Sequence, residues 1–218
     1  LHNEPIQVSG RSHYGSNFWD AYSPKLNRDV SFYSDLEYDY WILLEMNKNV
    51  TKFCEQPLKV RGKYEGKTIQ SIFDIWILWS NNTQEYVEIK YSKDLSPASR
   101  QYKRVTKQIA IQKQWCLDNN VSYSIKTELE IRKNITLLNN FKTLLPYLRY
   151  SYEALENDSK DFLYSLSKKP QKLSDLSVDN IESHKLKIIL SHLYYDKQIK
   201  TNLGTVALGA LTEVWRNE

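Results

Sequence analysis

The sequence predicts an α/β fold in which a mixed β-sheet is flanked by helices, followed by a smaller domain built mainly of helices. Three observations predict it. The segment IQSIFDIWILW (69–79) is apolar on both faces, the pattern of a strand covered on both sides. The next apolar segment, EYVEIKY (85–91), follows after a short NNTQ turn and is rich in the residues that suit a pleated, covered surface. A capped helix precedes this pair and a long amphipathic helix follows it. The resulting order of helix, three strands, helix, strand and helix places helices against a sheet.

Composition sets the outer bounds. The chain has 218 residues, 41% of them hydrophobic, with 16 Tyr and 6 Trp, enough for a real core and unlike a disordered chain. No apolar run approaches the roughly 18 residues that cross a bilayer, and the N-terminus lacks the apolar core of a secretory signal, so a cytoplasmic location with no membrane partner is expected. Cys54 and Cys116 lie far apart among apolar neighbours and read as buried thiols. His2, His13, His184 and His192 show no metal-ligand spacing. Residues 1–150 hold 21 Lys and Arg against 16 Asp and Glu, whereas 151–218 hold 9 against 10, so the basic excess lies in the first part.

Residues 1–30 mix Gly, Ser, Asn, Pro and His with scattered aromatics and read as an irregular N-terminal arm. SDLEYDYWILLEMN then opens a helix, with Ser34 at the N-cap, Glu37 three residues on, and Leu36, Tyr40, Leu43 and Leu44 at helical spacing. VTKFCEQPLKV is a strand that Pro57 places at an edge or a bend, RGKYEGK is the turn, and 69–79 is the central strand. EYVEIKY pairs back as the next strand.

Residues 98–118 form an amphipathic helix with Tyr102, Val105, Ile109 and Cys116 along one stripe. VSYSIKT is a short strand, and EIRKNITLLNNFKTLLPYL is helical until Pro146. A compositional shift near residue 150 divides a 31–150 domain from a 151–218 domain. In the latter LENDSKD, KLSDLSV and NIESHKLKIILSHLYYDKQI read as three helices, the last with Ile188, Leu190 and Leu193 inward. KTNLG follows as a strand and wing turn, which suggests a small winged-helix domain.

The chemistry starts from charges placed where a core strand should not carry them. Asp74 interrupts the most apolar strand, and a hairpin brings it toward Glu88 and Lys90 at one end of the sheet. Two buried carboxylates near one another are costly, and a divalent cation removes the conflict. Mg²⁺ or Mn²⁺ prefers one or two carboxylates together with water and phosphate oxygens, a set that Asp74, Glu88 and the Ile89 carbonyl can offer. Lys90 then reaches the water or the phosphate rather than the ion.

The D-x13-E-x-K arrangement resembles the PD-(D/E)xK nuclease superfamily and its restriction-endonuclease-like core. SFYSDLEYDYWILLEMNKNVTKFCEQPLKV, FDIW and YVEIKY further resemble the catalytic domain of TnsA-type transposon-end endonucleases. By motif position the resemblance implies Glu37 as the first acid, ligating the ion directly or through water, Asp74 as the metal-binding aspartate, Glu88 at the position filled by an acid or amide and also a ligand, and Lys90 as the catalytic lysine. Phe73 stands where the superfamily usually has Pro, which implies an altered local backbone. Also implied are Mg²⁺-dependent cleavage of the 5′ strands at transposon ends, a bacterial source, double-stranded DNA as substrate, and a TnsB-like transposase and TnsC-like ATPase as partners.

Plainer readings stand beside these. The capping box by itself explains Glu37, a turn cap or a pair with a nearby Lys explains Asp74, and a surface pair explains Glu88 with Lys90 if their strand lies at an edge. Arg100, Lys103, Arg104, Lys107 and Lys113, with no acid from 98 to 114, either contact DNA phosphates or form a solvated face. Gln56 either meets substrate or satisfies a strand end. The near-neutral C-terminal domain is open to DNA or protein binding. A stand-alone restriction or defence nuclease and a catalytically silent adaptor share the same fold expectation.

Overall fold

A computed structural model describes residues 2–6, 17–150, 155–176 and 182–217. The chain divides into two compact units, Leu1–Lys133 and Asn134–Glu218. The first unit ends well before the compositional shift near residue 150, so the segment 135–144 groups with the second. Residues 7–16 of the arm, His13 among them, and Ser177 and Val178 of KLSDLSV lie outside the described residues.

The first unit opens with a hairpin. Part of the expected irregular arm is an antiparallel hairpin of β1 (Trp19–Ser23) and β2 (Arg28–Phe32). Asn27 makes its turn at φ 52°, a left-handed conformation that Asn tolerates better than most residues. The pattern hid it because few of its positions are apolar and buried, chiefly Val30 and Phe32. Helix α1 (Asp35–Met46) begins where the capping box places it. The Glu37 N–H donates to Ser34 Oγ at 3.2 Å, while the Glu37 carboxylate accepts from Ser34 Oγ at 3.0 Å and from the Tyr33 N–H at 3.2 Å.

The expected long strands are each two strands. β3 (Val50–Glu55) and β4 (Lys59–Tyr64) are separated at Gln56–Leu58, and β5 (Lys67–Ile72) and β6 (Ile75–Trp79) at Phe73–Asp74. The two breaks lie side by side, joined by the Gln56 N–H to the Asp74 carbonyl at 2.9 Å and the Phe73 N–H to the Leu58 carbonyl at 3.2 Å. Pro57 has no N–H to give a ladder, and Gln56 takes φ 39°. The turn of RGKYEGK is confined to Glu65 and Gly66, at φ 47° and 75°, with strand on both sides. A two-stranded β4–β5 ribbon therefore leaves the main sheet at the level of Asp74.

β7 (Gln84–Ile89) pairs antiparallel with β6, and β8 (Ser122–Lys126) pairs parallel with β7. The four-stranded order β3-β6-β7-β8 is thus a mixed sheet. Trp76 and Tyr86 pack with Cys116 and Trp115 of α2 (Tyr102–Asp118), while Ile75, Ile77 and Val87 on the other face are also buried. Both faces are covered, as the apolar segment required. Both cysteines are buried free thiols. The 98–118 helix starts four residues late, at Tyr102, and its buried stripe is Val105, Ile111, Gln112 and Cys116, with Tyr102 and Ile109 only partly covered.

The expected single helix after β8 is also two, α3 (Glu128–Ile131) and α4 (Ile135–Leu144), with Asn134 Oδ1 capping α4 through the Leu137 N–H at 2.9 Å. In the second unit α4, α5 (Glu156–Ser165) and α6 (Ser183–Tyr195) share a core of Leu144, Phe162, Ile189 and Leu193 with the strand residue Val214. Ile188, Leu190 and Leu193 are buried as expected. KLSDLSV is not the expected helix over its described part: it holds the end of β9 (Gln171–Lys172) and a 3₁₀ turn at Leu173–Asp175. β9, β10 (Ile199–Thr201) and β11 (Glu213–Arg216) form a three-stranded antiparallel sheet in the order β10-β11-β9. Buried Asn140 holds the loop before β11, donating to the Leu203 and Val206 carbonyls at 2.8 Å each and accepting from the Leu208 N–H at 2.9 Å. No helix among the described residues is long and apolar enough to cross a membrane.

Candidate active site

Asp74 occupies the strand break, so its side chain is free of ladder geometry. Its Oδ2 accepts from the Ile89 N–H at 2.7 Å, tying the break to the end of β7. An Asp that competes for main-chain donors in this way also explains why the β5–β6 segment does not run on as one strand.

Glu88 lies on β7 and is fully buried. Its Oε1 accepts from the Lys90 ammonium and from Gln108 Nε2 at 2.5 Å, and its Oε2 accepts from Gln112 Nε2 at 2.7 Å. Gln112 is held in turn by Ser71 Oγ at 2.9 Å and by the Tyr123 hydroxyl, which donates to its Oε1 at 2.8 Å. The carboxylate is therefore locked in orientation by two amides from α2. Lys90 Nζ also donates to the Ile89 carbonyl at 3.0 Å and stands 3.6 Å from Asp74 Oδ2. The three oxygens expected to bind a cation thus converge on one point, and the ammonium stands there.

Among the described residues Glu37, also expected as a ligand, does not join Asp74 and Glu88 in a group of three acids placed to share an ion. It borders a cleft of about 700 Å³ together with Tyr33, Ser71, Asp74, Lys90 and Arg104. Part of the residue is accessible from the cleft, yet burial of its carboxyl, with repulsion from Asp74, raises its pKa to about 7. Burial likewise pushes Glu88 up to about 8, again with Asp74 adding to the shift. For Lys90, burial favours the neutral amine, but Asp74 and Glu88 outweigh it and hold the ammonium charged.

These shifts fix a pH dependence for the metal-free protein. In the folded state the Glu37 and Glu88 carboxyls keep their protons to higher pH than their ordinary value of 4.5. Between about pH 5 and 8 these two carboxyls, with buried Glu45 adding in the same direction, bind more protons in the folded state than in the unfolded one and outweigh the opposite effect of His2, which burial shifts down, so stability falls as pH rises through that window. Lys90 titrates above it. Thermal melts in chelator should show the midpoint dropping from the acid to the alkaline end, and Glu88→Gln should flatten the upper part. A wild-type midpoint that stays level or climbs would contradict the site as described.

The other expected residues are not all brought here. Arg104 borders the cleft, with its Nε bonded to Gln101 Oε1 at 3.0 Å. Arg100 and Lys103 are exposed, and Lys107 pairs with Glu65 at 3.9 Å over the Tyr64 ring. Lys113 is about two and a half helical turns beyond Arg104 and so faces the opposite side of α2. Gln56 is buried at 4% exposure, and at the strand end its main chain donates to the Asp74 carbonyl and accepts from the Ile6 N–H. Sequence reasoning missed Gln108 and Gln112. Their spacing with Val105 and Cys116 along one stripe was the available signal, because a buried amide needs a partner.

Among the described residues, no group of three or more His, Cys, Asp and Glu side chains is placed to share an ion. What converges is two carboxylates and a main-chain carbonyl, a hard oxygen set compatible with Mg²⁺ or Mn²⁺ when water and phosphate fill the remaining positions.

Residues 47–128, less than half of the chain, match the model of a family described as TnsA-like endonuclease N terminal. The matched stretch runs from β3 into α3 and includes Asp74, Glu88, Lys90 and all of α2, whereas Glu37 lies before it. No match was found among curated proteins. The chain is therefore similar over this stretch to a nuclease family.

Proposed function

We propose that the chain is a metal-dependent DNA endonuclease subunit of a heteromeric transposase that cleaves the 5′ strands at transposon ends. The observation that carries the nuclease reading is the convergence of Asp74, Glu88 and the Ile89 carbonyl on the Lys90 ammonium, with Asp74, Ile89 and Lys90 lining a cleft, within the stretch similar to the TnsA-like family. Asp74 and Glu88, with the Ile89 carbonyl, would hold Mg²⁺ or Mn²⁺. When bound, such an ion lowers the pKa of a water and offsets charge on a phosphoryl group.

The chain's own residues supply the rest. Gln108 and Gln112 hold Glu88 in one orientation, and the Ile89 N–H does the same for Asp74. Lys90, displaced from among the three oxygens, orients the attacking water and balances charge on the phosphate. Glu37, with a carboxyl pushed to about 7, is placed to exchange a proton at the cleft wall. Arg104 on the same wall binds a neighbouring phosphate. A bacterial cytoplasmic setting, a TnsB-like partner that processes the 3′ strands, and a TnsC-like regulator complete the reading. Its second unit is winged-helix-like, three helical segments and a small sheet, and serves to dock these partners.

The test is a nicking assay on transposon-end duplexes in Mg²⁺, with and without a candidate transposase. Cleavage that requires the partner is expected. Cleavage by the chain alone would replace the transposase assignment with a stand-alone nuclease, and cleavage by neither mixture would leave an adaptor.

A further inference from the structure

The β4–β5 ribbon carries a basic row, without acidic partners among the described residues, that has no part in the arrangement of Asp74, Glu88 and Lys90. In the antiparallel register Lys59, Arg61 and Lys63 sit opposite Ile72, Gln70 and Thr68, so these six positions share one face. Lys59, Arg61, Lys63, Thr68 and Gln70 are all exposed, whereas Val60, Gly62, Tyr64, Ile69 and Ser71 on the other face are buried or partly covered. The covered face packs on α2. Gly62 permits that approach, since a Cβ there would stand 2.8 Å from Ile111 Cγ2. The ribbon is thereby fixed to the helix that carries Gln108 and Gln112.

None of Lys59, Arg61 and Lys63 has an acidic partner among the described residues. Successive members of the row stand about 7 Å apart along the strand, so the charges face water as an uninterrupted line. Glu65 at the turn is paired with Lys107, and Asp118 of α2, which lines a pocket together with Arg61 and Lys63, accepts from Gln114 Nε2 at 2.8 Å. The row also has a direction, because Lys59, Gln70 and Ile72 border the cleft that holds Asp74 and Lys90, and Arg61 and Lys63 lead away from it.

We propose that the solvent face of this ribbon is a binding surface for the phosphate backbone of double-stranded DNA, holding the flank of the duplex whose scissile phosphate lies in the cleft. A two-stranded ribbon is narrow enough to lie along a duplex, and three unpaired cations on one face match a row of phosphates. Thr68 and Gln70 add neutral hydrogen-bonding groups beside them. This surface rests on the nuclease reading for its orientation toward the cleft. It concentrates positive charge on one face of a chain whose net charge is only +4.

The experiment measures binding of a short labelled duplex by the full chain carrying Asp74→Asn, which keeps the DNA intact. The variants are Lys59→Ser/Arg61→Ser/Lys63→Ser and, as a charge-matched control on exposed positions of the second unit, Lys168→Ser/Lys169→Ser/Lys172→Ser. Loss of three phosphate contacts should reduce the slope of log affinity against log salt by about 2.7, so that the drop between about 50 and 200 mM salt shrinks roughly 40-fold. The control should retain its slope. A ribbon variant that behaves like the control, or a parent chain with no salt-dependent binding, would overturn the surface.

A second measurement is independent of stability. Cys54 and Cys116 are buried, so a photocrosslinker on Gln70→Cys can be placed selectively. It should capture DNA, whereas one on exposed Thr51→Cys should not. Equal capture at both positions would overturn the surface. The nuclease reading is judged separately by cleavage. Cleavage with a ribbon variant unchanged in affinity keeps that reading and removes this surface, while ribbon-dependent binding with no cleavage in any mixture does the reverse.

Discussion

Asp74→Asn is expected to lower DNA cleavage at least about a thousandfold, a loss of about 4 kcal/mol in transition-state stabilisation, while shifting the thermal midpoint by no more than about 4 °C. Asn is nearly isosteric, and its Oδ1 can still accept the Ile89 N–H that Asp74 Oδ2 now accepts at 2.7 Å. The strand break and the end of β7 therefore keep their tie. What is lost is the negative charge, and with it half of the carboxylate set. The same charge raises the pKa values of Glu37 and Glu88, so the variant should also melt with a weaker pH dependence than the wild type. Cleavage retained within about tenfold of wild type would remove Asp74 from the chemistry.

Lys90→Met is expected to lower cleavage by about two to three orders of magnitude and, unlike Asp74→Asn, to increase the response to Mg²⁺. The ammonium stands among the Glu88 carboxylate, the Ile89 carbonyl and Asp74. Removing it leaves Glu88 buried without a cation, a change that costs about 3–5 kcal/mol when the charge persists and less when the carboxyl takes up a proton. The metal-free variant should therefore melt earlier than the wild type at pH 8. Mg²⁺ should restore more of the midpoint than it adds to the wild type, because no side-chain cation has to leave. A variant that cleaves normally, or that gains no more from Mg²⁺ than the wild type, would contradict this role.

What the sequence made legible follows from which interactions are local. The α1 start was readable because Ser34 and Glu37 satisfy each other within one turn. The mixed sheet was readable because its central strands are apolar on both faces, and Asp74, Glu88 and Lys90 stood out because charge inside such strands needs a reason. The bend at Gln56–Leu58 and Phe73–Asp74 was not readable, since it is set by hydrogen bonds between segments far apart in the chain. Reading RGKYEGK as all turn hid a strand whose alternate residues form the basic ribbon face. Gln108 and Gln112 looked like ordinary polar residues of a helix until β7 supplied Glu88 as their partner. The compact units divide at Lys133 rather than at the compositional shift near residue 150 because α4 buries its apolar side in the second core, a choice that composition does not reveal.

The most direct measurement is a crystal structure of the chain grown with Mn²⁺ and read by anomalous scattering. The account predicts an ion bound by Asp74, Glu88 and the Ile89 carbonyl, with the Lys90 ammonium moved off those oxygens toward the cleft. Lys90 still seated among them at saturating Mn²⁺, with no anomalous peak beside Asp74, would contradict it.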